Sequence, residues 1–143
     1  MTLLPDMQAA GWQTATLAPF MQVAGPVWRR KAGDWHEYAL LPGAGHANRR
    51  GITHGGVLMC FADCALGNAV TERTGRPAQV TAQLDVQFMA AAPLGRLLVM
   101  RPECVHRTRS TFFMRGVIFD GETPLVAANG IWKAVAPPAE ERR

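Results

Sequence analysis

Three cysteines in 143 residues are too few for a disulfide framework. Cys60 and Cys64 fall four apart in a segment of helical pattern. They are expected to pack there as small apolar groups in a reduced compartment. No Cys/His set has metal-ligand spacing, so no metal is expected. No apolar run reaches the ~18 residues of a membrane span. The first residues have neither a basic start nor an unbroken apolar core, so no signal peptide and a cytoplasmic location are expected. Repeats and low-complexity tracts are lacking too. Charge is sparse: 18% of residues carry one, with a net of +4. Basic residues are scattered apart from Arg29-Arg30-Lys31, Arg49-Arg50 and the last two. No basic stripe is interleaved with aromatics, which argues against nucleic acid. A mild positive field suits a phosphate-bearing substrate, and equally a plain solvated surface.

What is present suits one globular domain, since 48% of residues are hydrophobic. Residues 1–24 read as a lead-in, residues 25–136 as the domain and residues 137–143 as a flexible tail. In the lead-in, Leu17, Phe20, Met21 and Ala24 have helical spacing behind Pro19, and a short helix is plausible. Val27–Lys31 and Trp35–Leu41 read as hairpin arms around Gly33. Pro42-Gly43-Ala44-Gly45 breaks that pattern, and residues 46–54 form a polar loop. A helix follows over Gly55–Arg73, about 27 Å long, with Gly75 as its stop. Four strands come next: Val80–Phe88, Arg96–His106, Thr111–Phe119 and Leu125–Val135. Pro102 marks an edge or bulge in the second. In the first, Val80, Ala82, Leu84, Val86 and Phe88 alternate with Thr81, Gln83, Asp85 and Gln87, as in a half-buried strand. Sequential hairpins imply a mainly antiparallel sheet. The helix is apolar on nearly all sides, so the sheet is expected to wrap it.

One stretch carries the chemistry. From Gly55 to Thr71 the only charged residue is Asp63. Aspartate is a poor helix former and costly to bury. It either lies on a narrow solvent-facing stripe or serves as a base or nucleophile in a dry pocket, where burial makes a carboxylate more basic. His54-Gly55-Gly56 sits where the helix begins. A helix start presents free N–H groups and the positive end of a dipole, and glycines admit a ligand close to that backbone. Such a terminus polarises a carbonyl or holds an oxyanion.

The pattern His46-x-Asn48-x-x-Gly51-x-x-His54-Gly55-Gly56, with Asp63 seven residues on, resembles the hotdog-fold acyl-CoA thioesterases of the phenylacetate-degradation (PaaI-like) type. Val80–Met89, followed by Pro93 and Gly95, resembles the next strand and turn of that family. The resemblance covers about residues 25–135. It implies an α+β hotdog fold, a curved mainly antiparallel sheet wrapped around a long central helix. It implies hydrolysis of an acyl-CoA, with an aromatic or medium-chain acyl group, to free acid and CoA. No cofactor is implied, because CoA is part of the substrate.

By the same resemblance, the Gly55 N–H holds the thioester oxygen. Asp63 activates water or attacks the carbonyl directly. Asn48 helps to hold the carbonyl or the water, and otherwise caps its loop. His54 orders the helix start more than it acts as base. Thr81 lies near the nucleophilic water, or is simply a β-former on a polar face. Gly55 and Asp63 are about 12 Å apart along one helix, too far for one carbonyl to touch both. They are therefore expected to come from different subunits of a homodimer, with a tetramer left open. Gly56 and Phe61 are expected at the substrate, with Leu58, Met59 and Phe88. CoA phosphates are expected on Arg107, Arg109 and Ser110, with Arg49 and Arg50 second. The alternatives are a non-catalytic domain that binds acyl-CoA as a sensor or partner, a hydratase or dehydratase, and an inactive structural oligomer. Asp63 argues against a pure sensor. The Asp/His arrangement of the hydratases is not found.

Overall fold

The structure, a computed structural model, describes residues 3–15, 18–75 and 79–135. Leu17 and the tail from residue 137 onward lie outside the described residues. Among the described residues three α-helices and eight strands follow in order: α1 (Leu3–Ala9), β1 (Gln13–Thr14), α2 (Pro19–Ala24), β2 (Val27–Ala32), β3 (Trp35–Leu40), α3 (Gly55–Thr74), β4 (Gln79–Phe88), β5 (Leu98–Met100), β6 (Glu103–Arg107), β7 (Thr111–Asp120) and β8 (Thr123–Ala134), with one 3-10 turn over Ala44–His46 before α3. The strands form one sheet in the order β1-β2-β3-β5-β7-β8-β4, with β6 on β7. Each described strand pair is antiparallel. The sheet curls around α3 in the hotdog arrangement.

Local chemistry accounts for the ends of α3. The His54 ring accepts the Gly56 N–H at its start, and Gly75 closes it in the left-handed conformation with φ of 63°. Between them Leu58, Phe61, Ala62, Ala65, Leu66, Ala69 and Val70 are buried. They meet Val27, Tyr38, Leu40, Leu98, Met100, Ile118, Val126 and Trp132 from the sheet. Each large side chain so buried contributes roughly 1.5–3 kcal/mol. The wrapping is not complete. Met59 is 41% exposed, and Gly56, Cys60, Asp63 and Cys64 are only partly covered. This strip of α3 faces outward because the sheet ends at β4.

Three expectations change. The lead-in holds more than one short helix. It adds α1 and β1, and β1 pairs with β2. Met7 and Trp12 pack there on Trp28 and Ala39 in a second small core. The strand expected over Arg96–His106 is two strands. It breaks at Pro102, which has no N–H for the ladder, and its halves pair with different parts of β7.

The third change bears on the site. The alternation of β4 reverses part-way. Thr81 pairs with Trp132 and Gln83 with Ile131, so Ala82 is one residue too many. Gln79 and Thr81 consequently face α3 together with Leu84, Val86 and Phe88. Val80, expected inward, is 49% exposed. Gly130 on β8 lets the strands close around the bulge, since a Cβ there would run into the Gln83 carbonyl.

Candidate active site

The loop before α3 is tied to itself. His46 Nδ1 accepts the Gly43 N–H at 3.0 Å, and the His46 carbonyl accepts the His54 N–H at 2.8 Å. Asn48 Oδ1 accepts the Arg50 N–H at 2.8 Å and the Ile52 N–H at 3.4 Å. The loop-capping role of Asn48 is therefore real, and it leaves the Nδ2 donors available. Gly51 takes φ of 74°, where a side chain is strained. The Gly56 N–H reaches His54 Nδ1 at 2.9 Å. A neutral ring accepting at Nδ1 carries its proton on Nε2. The Gly55 N–H has no partner among the described residues. Phe88 closes over it, and a Cβ at Gly55 would stand 3.2 Å from Phe88 Cζ. The helix start thus offers one free donor beside an aromatic wall.

Asp63 lies two turns further along α3. It is half-buried, less enclosed than a dry pocket would make it. Thr81 Oγ1 donates to Asp63 Oδ1 at 2.6 Å. A hydroxyl that donates to one carboxylate oxygen leaves its own lone pairs and the second carboxylate oxygen for a water. The two residues line a cleft of about 480 Å³ whose walls are largely apolar, with Met21, Met59, Leu84 and Trp132 among them. Cys60 and Cys64 also line it. Burial, and then the Asp63 charge, push both thiols up, Cys64 to about 11. They stay protonated and are poor nucleophiles.

The family model of the thioesterase superfamily matches residues 50–127, more than half of the chain. The chain belongs to the thioesterase superfamily. The match takes in Gly55, Asp63 and Thr81. Solved structures carry the same fold. Thioesterase superfamily member 2 from zebra fish superposes with a TM-score of 0.73 at 19% identity, over 92% of this chain and 96% of that one. A hypothetical thioesterase with coenzyme A from Streptococcus pneumoniae gives 0.69 at 24% identity, over 79% and 91%. A variant of the phenylacetic acid degradation protein PaaI from Thermus thermophilus gives 0.65 at 21% identity, over 92% and 99%. No curated protein matches in sequence.

The candidate residues fall in two places along α3. His54, Gly55, Gly56 and Phe88 gather at the start of α3, and Asn48 sits in the loop before it. Asp63 and Thr81 gather in the cleft with Met59. Phe61, expected at the substrate, is fully buried in the core, as is Leu58 at 2% exposure. Both point from α3 toward the sheet, on the side away from Asp63. Arg107 and Arg109 line a separate cavity at the far end of α3. The Ser110 N–H is drawn back to Thr108 Oγ1 at 3.4 Å. Arg49 and Arg50 are exposed on the loop. Sequence reasoning did not place Met21, Gln79 or Trp132 at the cleft. Met21 belongs to the lead-in. The other two arrive through sheet pairing, which leaves no local signal. Among the described residues no cluster of His, Cys, Asp and Glu could hold a metal, and no helix is long and apolar enough to cross a membrane.

Proposed function

We propose that the chain hydrolyses acyl-CoA thioesters to a free acid and CoA, in the cytoplasm and without a cofactor. The observation that carries this reading is the Thr81–Asp63 hydrogen bond at an apolar cleft. A sensor would have no use for a carboxylate oriented toward bound water. In the proposed step Asp63 takes a proton from a water that Thr81 helps to hold. The water oxygen bonds to the thioester carbon, and the negative charge collects on the carbonyl oxygen. The Gly55 N–H stabilises that charge, worth ~3 kcal/mol for one preorganised donor, and Asn48 Nδ2 is the second candidate donor. The C–S bond then breaks and the CoA thiolate leaves, taking a proton. Direct attack by Asp63 is the variant of this step, and isotope labelling separates the two. His54 positions Gly55 and Gly56 and is not the base.

Gly55 and Asp63 of one chain are about 12 Å apart along α3, so the reading calls for a second copy. Its two-fold axis would bring Gly55 of one chain to Asp63 of the other. Two features support this. The outer edge of β4 has no partner strand among the described residues, with Val80 and Phe88 exposed along it. The uncovered strip of α3 lies beside it. The cleft beside Asp63 holds an aromatic or medium-chain acyl group against Met59 and Leu84.

The test is acyl-CoA hydrolysis, followed with a thiol reagent, by the wild type and Asp63→Asn on phenylacetyl-, benzoyl-, hexanoyl- and palmitoyl-CoA. Turnover by the wild type alone supports the reading. A folded protein that binds these esters tightly and turns over none of them overturns it in favour of a sensor.

A further inference from the structure

Strand β4 carries two conflicting preferences. Its apolar pattern would turn Val80 and Ala82 toward α3 with Leu84, Val86 and Phe88. The structure instead places Ala82 in a bulge and turns Gln79 and Thr81 to the helix. Val80 is left 49% exposed. Ahead of the bulge only Gln79, Val80 and Thr81 pair with β8. β4 ends the sheet, so β8 is their sole neighbouring strand among the described residues. A shift of one residue in register turns the opposite face of a strand inward. Burial of Val80 favours that shift here.

One side chain opposes it. Gln79 Nε2 donates to the Gly67 carbonyl at 2.8 Å and to Thr71 Oγ1 at 3.3 Å. Thr71 lies one helical turn after Gly67, and Asp63 one turn before it. Gln79 and Thr81 therefore grip a single row of α3, made of Asp63, Gly67 and Thr71. The Gly67 carbonyl fixes the orientation of the amide, because only Nε2 can donate to it.

Two further features fit a tether. Gly67 is buried, and a Cβ there would stand 3.2 Å from Gln79 Nε2 and from Trp132 Nε1. Glycine is a poor helix former, so this position is explained by the approach of the strand rather than by the helix. Gln79 Oε1 is buried without a donor among the described residues. A buried acceptor left so costs stability. Gln79 is thus unfavourable as a packing residue, while its other amide atom joins strand to helix.

Thr81 is two residues along from Gln79, about 7 Å, and shares its face. Burial of one valine side chain and one or two net hydrogen bonds are similar in size. The two faces of this short segment are therefore close in free energy, and the Gln79 bonds tip the choice. We infer that Gln79 is a positioning residue, whose bonds to Gly67 and Thr71 hold Thr81 Oγ1 on Asp63. It acts on the reacting water through Thr81. This catalytic consequence rests on the proposed hydrolysis, whereas the placement of Thr81 does not.

The test is kinetic and crystallographic. Gln79→Ala removes the tether and adds no large apolar group of its own. Gln79 opens an edge strand and is partly exposed, so the fold is retained. On hexanoyl-CoA kcat should fall about tenfold, the loss expected of Thr81→Val, at a nearly unchanged KM. Added to Thr81→Val, Gln79→Ala should cost nothing further. Val80→Thr keeps the shape and weakens the apolar pull, so Q79A/V80T should regain most of kcat. A purely structural Gln79 would lower the melting temperature, and Val80→Thr would restore no activity. An unchanged kcat in Gln79→Ala, or losses that multiply with Thr81→Val, overturn the inference. Crystal structures of the wild type and Gln79→Ala need no turnover. Thr81 Oγ1 out of hydrogen-bond reach of Asp63 in the variant supports the tether, and an intact bond overturns it. If the wild type hydrolyses no thioester, the hydrolytic reading falls and the crystal structures alone decide the tether.

Discussion

The Thr81 hydroxyl donates a hydrogen bond of 2.6 Å to the Asp63 carboxylate, joining β4 to the middle of α3. The bond fixes one carboxylate oxygen and so aims the other. Asp63→Asn keeps the size and loses the proposed base. Hydrolysis should fall about 1,000-fold, with an unchanged circular dichroism spectrum. Thr81→Val keeps the shape and loses the donor, and kcat should drop about tenfold, the effect of one hydrogen bond to a charge. Thr81→Ser should restore most of it. Wild-type rates in Asp63→Asn would remove Asp63 from the chemistry.

Single turnover in ¹⁸O water separates the two forms of attack. If Asp63 activates water, the acid released in the first turnover carries solvent oxygen. If Asp63 attacks directly, the first product carries an oxygen from the enzyme and the label enters Asp63. The Thr81 bond favours the first result, because it leaves a water site between hydroxyl and carboxylate. Mass spectrometry of product and protein reads both.

The start of α3 is held by His54. A Cβ at Gly56 would lie 3.1 Å from His54 Nδ1, the atom that accepts the Gly56 N–H. Gly56→Val should displace the ring and misplace the Gly55 donor, with a loss of about 100-fold in kcat. His54→Ala should cost about 1 kcal/mol as a lost cap and reduce activity less than Asp63→Asn. Denaturant titration and kinetics on the same samples check this order. A His54→Ala enzyme as inactive as Asp63→Asn would make His54 a participant rather than a support.

Glu37 is the buried acid of the sheet, bonded to Arg30 and, at 3.0 Å, to Arg101. Burial pushes its carboxyl up, but the two guanidiniums outweigh burial and hold it below its ordinary value of 4.5. A carboxyl lowered by folding stabilises the native state above the unfolded value. That stability disappears as the pH falls through the folded value. Glu37→Gln should cost about 2 kcal/mol at pH 7. The difference from wild type should shrink below pH 4.5. A gap in melting temperature that stays constant down to pH 3 would count against this assignment.

The helix was legible because its signals are contiguous. His54 caps a residue two places on, Gly75 stops the last turn, and between them runs an apolar stretch of helical length. The alternation of β4 was legible too, yet it put Thr81 on the wrong face. A bulge depends on what the neighbouring strand does, here on Gly130 of β8. Phe61 shows the same limit. Its place near Asp63 in the chain suggested the pocket, while the helical turn directs it into the core. Arg107 and Arg109 stood out as a basic turn. Arg73, 34 residues earlier in the chain, gave no sign of joining them.

The sequence by itself determined the central helix, its capped start, the lone Asp63 and the run of strands that follows. These depend on hydrogen bonds, apolar runs and strand alternation among residues a few places apart. Only the tertiary structure decided that Thr81 meets Asp63, that three arginines share one hollow, and that a strip of α3 stays uncovered. Those outcomes depend on sheet register and a one-residue bulge. Register is set by how distant strands pack, which no short window of the chain contains.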